Sequence, residues 1–422
     1  MPNAAKITGC RAISDAFLAL HQKDGFEILE PSSLLHPSVH TAFVMSAGLV
    51  QIENELAQII EQTGEKFAFT QPCFRYFDMD LVGKDSIHSS LFHMPAAFYI
   101  GSSQRENILP RLWHFLTQTL QLRTDKLWIT YLDDPILGID QHTLDCWKNI
   151  GIDTDRLIGL ERQHNFWQQR ELGQIASDGK KCGPHSEIFY ERTEVNCTQC
   201  EASTALIGSC ACGRFVEISN SLFIENYIDE QGQLVRADTV FSECVIGAER
   251  LAMIQQNVAS VHGIAKYSHW QTILQSHFSH QNSPQHHHAM HIIMDHLSAF
   301  MHLVADGAPK PGRGGQARIM RKLARGAITQ ALLWDLDINK LLSLLLSKYN
   351  HTHAEYKPEQ SLQRLYDELS RFECTLQRAK KQMQKMLRHS VLTEEIKQEL
   401  QQKWGLPPLL SEKFYATLSI ET

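Results

Sequence analysis

The chain has 422 residues, of which 43% are apolar and 21% charged, and a net charge of −7. That is enough for two to four packed domains, and it excludes a disordered, collagenous or uniformly basic protein while leaving room for a local basic groove. No apolar run approaches the roughly 20 residues that cross a bilayer, and the opening M-P-N-A-A-K-I-T-G-C-R lacks the apolar centre of a secretion signal, so a cytoplasmic location is expected.

Taken in order, Ala12 to Gln22 has helical spacing, with Ile13, Phe17 and Leu18 on one face, and Gly25 stops it. Phe26 to Leu29 reads as a short strand, P-S-S as a turn, and Ala42 to Val50 contains a Ser-Ala-Gly turn. Gln71 to Tyr76 and Ser89 to Ile100 predict two antiparallel strands joined by a polar loop. Asn107 to Leu122 predicts an apolar helix, and Leu127 to Leu132 and Gly183 to Tyr190 further strands. The stretch R-F-V-E-I-S-N-S-L-F, from Arg214, alternates like a strand buried on one face, and C-V-I-G-A-E-R-L, ending at Leu251, reads as a strand turning into a helix at Gly247. This texture predicts an α+β fold built on an antiparallel sheet. From about 257 strand-like runs cease: a polar, His-rich loop is expected over Gln281 to His288, then helices over His291 to Ala305, through Trp334, and over Leu362 to Met386. The expected domains are therefore 1–257 and 258–422, the second all-helical.

Ten cysteines in a chain without a secretion signal do not suggest a disulfide framework. Cys197-x2-Cys200, nine residues, then Cys210-x-Cys212 has the spacing of two metal-binding knuckles. Four thiolates would fill the tetrahedron of a structural Zn²⁺; four unlinked thiols or a redox pair are the bland alternatives. Arg75 and Arg250 each leave a short apolar strand, where an ordinary surface ion pair is the commoner outcome. P-G-R-G-G lacks the G-K-[ST] of a phosphate loop. It precedes a basic helix face of Arg318, Arg321, Lys322 and Arg325, which suits either phosphate contact or plain solvation.

The motifs Q-P-C-F-R ending at Arg75, I-H-S-S-L-F-H-M-P-A-A-F-Y-I-G, H-N-F-W at His164 to Trp167, C-G-P-H-S-E-I-F-Y, V-E-I-S-N and I-G-A-E-R occur in an order and spacing that resemble alanyl-tRNA synthetase, a class II aminoacyl-tRNA synthetase. G-F-E-I-L-E-P-S-S-L-L resembles its motif 1, and I-I-M-D-H-L-S-A-F-M-H-L-V-A-D-G and L-Q-Q-K-W-G-L-P-P-L-L-S resemble the bounds of its tRNA-recognition domain. The resemblance covers the catalytic and tRNA-recognition domains only, without an editing or dimerisation domain, so a monomer is expected.

What it implies is an ATP- and Mg²⁺-dependent ligase that forms an aminoacyl adenylate and passes the amino acid to tRNA. Arg75 would hold the α-phosphate and the amino-acid carboxylate, and Arg250 the γ-phosphate. Phe92 would stack on adenine beside Met94, Glu217 and Asn220 would contact Mg²⁺ or ATP, Trp167 would wall the amino-acid pocket, and Glu243 would pair with the substrate ammonium. This chain departs from the family pattern at several points. His93 replaces a motif 2 glutamate, Glu243 an aspartate, Val245 the first glycine of motif 3, Ser219 a tryptophan and His185 a cysteine. The motif 2 loop is shortened, an Asn is missing near Gly312, and Gln402 stands for an Asp. A small amino acid is therefore the expected substrate, alanine first. The alternatives are a ligase loading a carrier protein or other acceptor, and a non-catalytic tRNA-binding paralogue.

Overall fold

The computed structural model describes residues 6–35, 44–45, 47–49, 59, 65–101, 104–169, 180–202, 207–277, 283–339, 342 and 358–420. Ser46, in the expected Ser-Ala-Gly turn, lies outside them. The chain divides into two compact units. The first takes in the described residues of Met1–His40, Val44–Arg75 and Asp85–Lys266, and the second those of Tyr76–Lys84 and Tyr267–Thr422.

The first unit opens with α1 (Cys10–Lys23), which buries Ile13, Phe17 and His21, spaced i, i+4, i+8. Its strands are β1 (Glu27–Ile28), β2 (Val44–Met45), β3 (Lys66–Arg75), β4 (Leu91–Ile100), β5 (Leu127–Asp134), β6 (Gly138–Ile139), β7 (Leu157–Leu160), β8 (Phe166–Gln168), β9 (Lys180–Glu191), β10 (Phe215–Ile228) and β11 (Leu234–Ile246). Between and after them come α2 (Arg105–His114), α3 (Gln141–Ile150), α4 (Arg162–Asn165), α5 (Thr198–Ala202) and α6 (Ala248–Gln256). The strands form one sheet in the order β1-β3-β4-β11-β10-β9-β5-β6, with β2 on β3, β7 on β5 and β8 on β9. Neighbours are antiparallel except β1/β3 and β5/β7, which are parallel. The expected α+β class is the observed one, and the sheet is mixed rather than purely antiparallel.

One face of the sheet carries an apolar core of Phe67, Phe69, Phe98, Leu222, Phe241 and Val245, on which Met94 and Trp167 pack. On the other, α1 lies against β3 and β4, and α6 against β4 and β10. The buried Arg105 guanidinium lies 4.1 Å over the Phe223 ring and bonds Glu225, Asp140 and Thr143. A cation so deeply buried persists because each of its nitrogens has a partner.

The second unit contains α7 (Ser268–His277), α8 (Pro284–Ala305), α9 (Gly315–Leu333), α10 (Pro358–Met386), α11 (Glu394–Trp404) and α12 (Pro408–Ile420). α8, α9 and α10 pack on one another around Ile293, Met320, Leu323, Leu365 and Phe372. The expected His-rich loop is overturned over its second half. Ser283 caps α8, its hydroxyl accepting from the His286 N–H, and Pro284 stands at the first helical position, where it costs no hydrogen bond. His286 is buried with its ring 3.9 Å from that of Trp334. Residues 281 and 282 lie outside the described residues. Among the described residues no helix is long and apolar enough to cross a membrane.

Candidate active site

Residues paired across a sheet point to the same side, and residues two apart on a strand share a side. On β3 and β4, Arg75 and Gln71 therefore share a side with Phe92, Met94, Ala96 and Phe98. The pairs Glu243↔Phe98 and Val245↔Ala96 add Glu243 and Val245. Asn220↔Val245 and Leu222↔Glu243 carry the same side to β10, Asn220↔Glu187 and Leu222↔His185 to β9, and Trp167↔Gly183 to β8.

Glu217 stands three residues before Asn220, a spacing that in a regular strand would send it to the opposite side. The ladder is interrupted between Glu217 and Ser219, where Phe189↔Glu217 is followed directly by Ile188↔Ser219. Ile218 is the extra residue of a β-bulge, and it returns Glu217 to the side of Asn220 and Glu187. The bulge also frees acceptors. The Ile218 carbonyl accepts from the Gly247 N–H at 3.0 Å, and the Glu217 carbonyl from Arg250 Nη1 at 3.0 Å. The start of α6 is thereby tied to the bulge.

Two groups result. In one, the Arg75 guanidinium lies 4.8 Å over the Phe92 ring, with Met94 next along the same side. In the other, Arg250 Nη1 donates to Glu217 Oε2 at 2.9 Å, and Asn220 Nδ2 donates to His185 Nδ1 at 3.2 Å and to Glu187 Oε1 at 3.4 Å. Burial pushes His185 down to about 4, so the ring is neutral at pH 7 and its Nδ1 can accept. Burial, and then the Glu217 carboxylate, push Glu187 well above the usual carboxylate range, against the pull of Arg250. Arg250, Glu217 and Glu187 line a cleft of about 260 Å³. Glu243 is buried on the shared side, beside the core on which Trp167 packs. Neither Glu187 nor His185 was singled out as a site residue; two carboxylates on paired strands become visible only with the register.

His93 points the other way from Phe92 and Met94. Its backbone N–H and its Nδ1 both reach the Glu249 carboxylate, at 2.9 and 2.8 Å, and Lys266 Nζ completes the group at 3.1 Å. Burial pushes Glu249 up, but Lys266 and His93 outweigh it and hold the carboxyl below its usual range.

The four clustered cysteines converge. Their sulfurs all lie within 4.8 Å of one another, with Cys197 and Cys210 3.9 Å apart and Cys200 and Cys212 3.5 Å apart. A Zn–S distance of about 2.3 Å requires tetrahedron edges of about 3.8 Å, so the donor set fits zinc. Gly208, at φ +80°, supplies a left-handed turn between the two pairs, and Gly213, at +78°, one just after the second. The Cys200 N–H helps to hold the Cys197 thiol down to about 7.

In the helical unit the basic face of α9 is divided. Arg318 and Lys322 are exposed. Arg325 bonds Glu368 at 2.7 Å and lies 4.6 Å over the Phe372 ring, so it is engaged with α10. Arg321 is half-buried, and burial and Arg325 lower its pKa.

The family model for tRNA synthetases class II (A) matches residues 12–420. The chain belongs to this family. Among curated relatives, the alanine–tRNA ligase of Dehalococcoides mccartyi is 27% identical over 86% of this chain and 41% of its own length. That of Carboxydothermus hydrogenoformans is 27% identical over 96% of the chain and 45% of its own. The chain thus spans under half the length of the relatives it matches. A solved Staphylococcus aureus histidyl-tRNA synthetase covers 64% of the chain, and the chain 76% of it, at 11% identity and a TM-score of 0.34.

Proposed function

We propose that the chain activates a small amino acid, alanine first among them, as an aminoacyl adenylate and transfers it to tRNA. The observation that carries this reading is the convergence of Arg75, Phe92, Met94, Trp167, Glu217, Asn220 and Glu243 on one side of the sheet, with Arg250 reaching Glu217. In the first step an amino-acid carboxylate oxygen attacks the α-phosphorus of ATP in line, the bond to the β-phosphate oxygen breaks, and pyrophosphate leaves. Negative charge grows on the phosphate oxygens, and preorganised cations lower that barrier. Arg75 would meet the α-phosphate and the substrate carboxylate, with adenine against Phe92. Arg250 would meet the γ-phosphate. Glu217, Asn220 and Glu187 offer oxygen ligands suited to Mg²⁺, which supplies charge neutralisation when bound. Glu243 would take the substrate ammonium in a pocket walled by Trp167. In the second step a tRNA ribose hydroxyl attacks the adenylate carbonyl carbon and AMP leaves.

The four-cysteine knuckle would hold one structural Zn²⁺ by Cys197, Cys200, Cys210 and Cys212. Exposed Arg318 and Lys322 are the α9 residues suited to tRNA phosphate, rather than the whole basic face. A carrier-protein thiol is the second reading. It is favoured by the shortened motif 2 loop and by Gln402, exposed on α11 where the family has an Asp. Amino-acid-dependent pyrophosphate exchange, followed by charging of total tRNA, tests both. Exchange with alanine and charging are expected. Exchange without charging transfers the case to the carrier reading, and no exchange with any amino acid removes both.

A further inference from the structure

The cleft that Arg250, Glu217 and Glu187 line is closed on another side by Gly208, Cys210, Phe189 and Phe215. Phe189 and Phe215 belong at the same time to the small core that buries Cys200 and Ile207 and supports Cys197, Cys210 and Cys212. The knuckle and the cleft thus share Phe189, Gly208, Cys210 and Phe215. Cys210 is a wall of the cleft and also a sulfur 3.9 Å from Cys197. Phe189 is the strand partner of Glu217, so the ring that supports the knuckle sits beside the carboxylate bonded to Arg250. Gly208 lies so close to Phe189 that a β-carbon there would meet the ring at 3.3 Å. Beyond Cys212, Arg214 bonds Glu191 at 2.8 Å, which anchors that end of the knuckle to β9. A metal bound to four sulfurs ties the Cys210 wall to α5. With no metal that tie is missing.

We propose that the knuckle forms one wall of the phosphate end of the cleft, so that zinc binding and nucleotide binding are linked. The inference rests on the adenylation reading, because it places the triphosphate beside Arg250. Linkage is reciprocal: if zinc favours the nucleotide, the nucleotide must favour zinc by the same factor, and about fivefold is the lower end of such couplings. No thiol titration is involved, because the effect comes from where the wall stands.

Two measurements on the full chain test it. A non-hydrolysable ATP analogue with Mg²⁺ is titrated into zinc-loaded protein and into chelator-treated protein at a temperature where circular dichroism shows both folded. Zinc release from the loaded protein to a chromogenic chelator is then followed with and without saturating analogue, an arm that does not depend on the stripped protein staying folded. The expected results are an affinity at least about fivefold weaker without zinc, and zinc retained more tightly by a matching factor when nucleotide is bound. Phe189→Leu, which keeps all four thiols, should hold one zinc yet lose most of the nucleotide effect on release. Equal release with and without analogue, at a concentration shown to saturate, overturns the linkage and leaves the adenylation reading standing. Zinc-loaded protein that binds no nucleotide overturns the adenylation reading, and the linkage falls with it.

Discussion

At position 93 the imidazole is directed away from the side of the sheet that carries Phe92 and Met94, and it meets the Glu249 carboxylate, to which Lys266 also donates. The exchange of a motif glutamate for histidine therefore alters packing between the sheet and α6 rather than the groups that would face substrate. His93→Ala is expected to leave pyrophosphate exchange close to wild type and to cost about 1–3 kcal/mol of stability, because it strips the imidazole partner from a buried carboxylate; urea denaturation alongside the exchange assay checks both. The sign of the pH effect follows from Glu249. Its folded pKa lies below the usual carboxylate value, so the stability it contributes is present above about pH 4.3 and is lost as pH falls towards the folded value. Glu187 runs in the opposite sense. Its raised pKa means that a proton must leave before the carboxylate can ligate a cation, so Mg²⁺–nucleotide affinity should rise with pH above the usual carboxylate range. Glu187→Gln should flatten that dependence in a titration across pH. Both arguments need the register, because the sequence shows Glu187 only as one polar residue in an alternating strand.

Among the elements, the knuckle makes the plainest prediction. Metal analysis should find about one zinc per chain, the number one four-thiolate tetrahedron holds, and Cys197→Ser should lose it; folded wild-type protein free of metal would remove the site. This cluster was legible because its spacing is local, and the same holds for α1, for the β3/β4 pair and for the strand-to-helix turn at Gly247. What sequence does not carry is pairing at a distance: nothing in E-I or L-I-G-L announces that β1 and β7 run parallel to their neighbours. The start of α8 was hidden for a different reason. Polar composition around Ser283-Pro284 suggested a loop, while the cap and the proline are themselves a helix start. Periodicity presents the basic face of α9 as one surface, because it cannot show that Glu368 and Phe372 come from α10 to meet Arg325.

At the scale of the whole chain, activation and transfer are proposed to draw on different residues, and they separate experimentally. Arg318→Glu with Lys322→Glu should leave amino-acid-dependent exchange unchanged while lowering tRNA charging and reducing the dependence of charging on salt, since phosphate contacts are lost. A loss of exchange in that variant would show that the α9 surface serves something other than tRNA. The fold class, the strand–helix succession and the family could be read from motif order. The side of the sheet on which each motif residue stands could not, because one residue decides it. Before Ile218 the side chains of β10 on the shared side of the sheet carry odd numbers, Phe215 and Glu217; after it they carry even ones, Asn220 and Leu222. The strand thus contains a one-residue vernier. A chimera with one of the relatives must take Ile218 together with everything on one flank of it. A junction that keeps the alternation but drops the offset would turn Phe215 and Glu217 towards the helices, parting Glu217 from Arg250, although every motif letter was preserved.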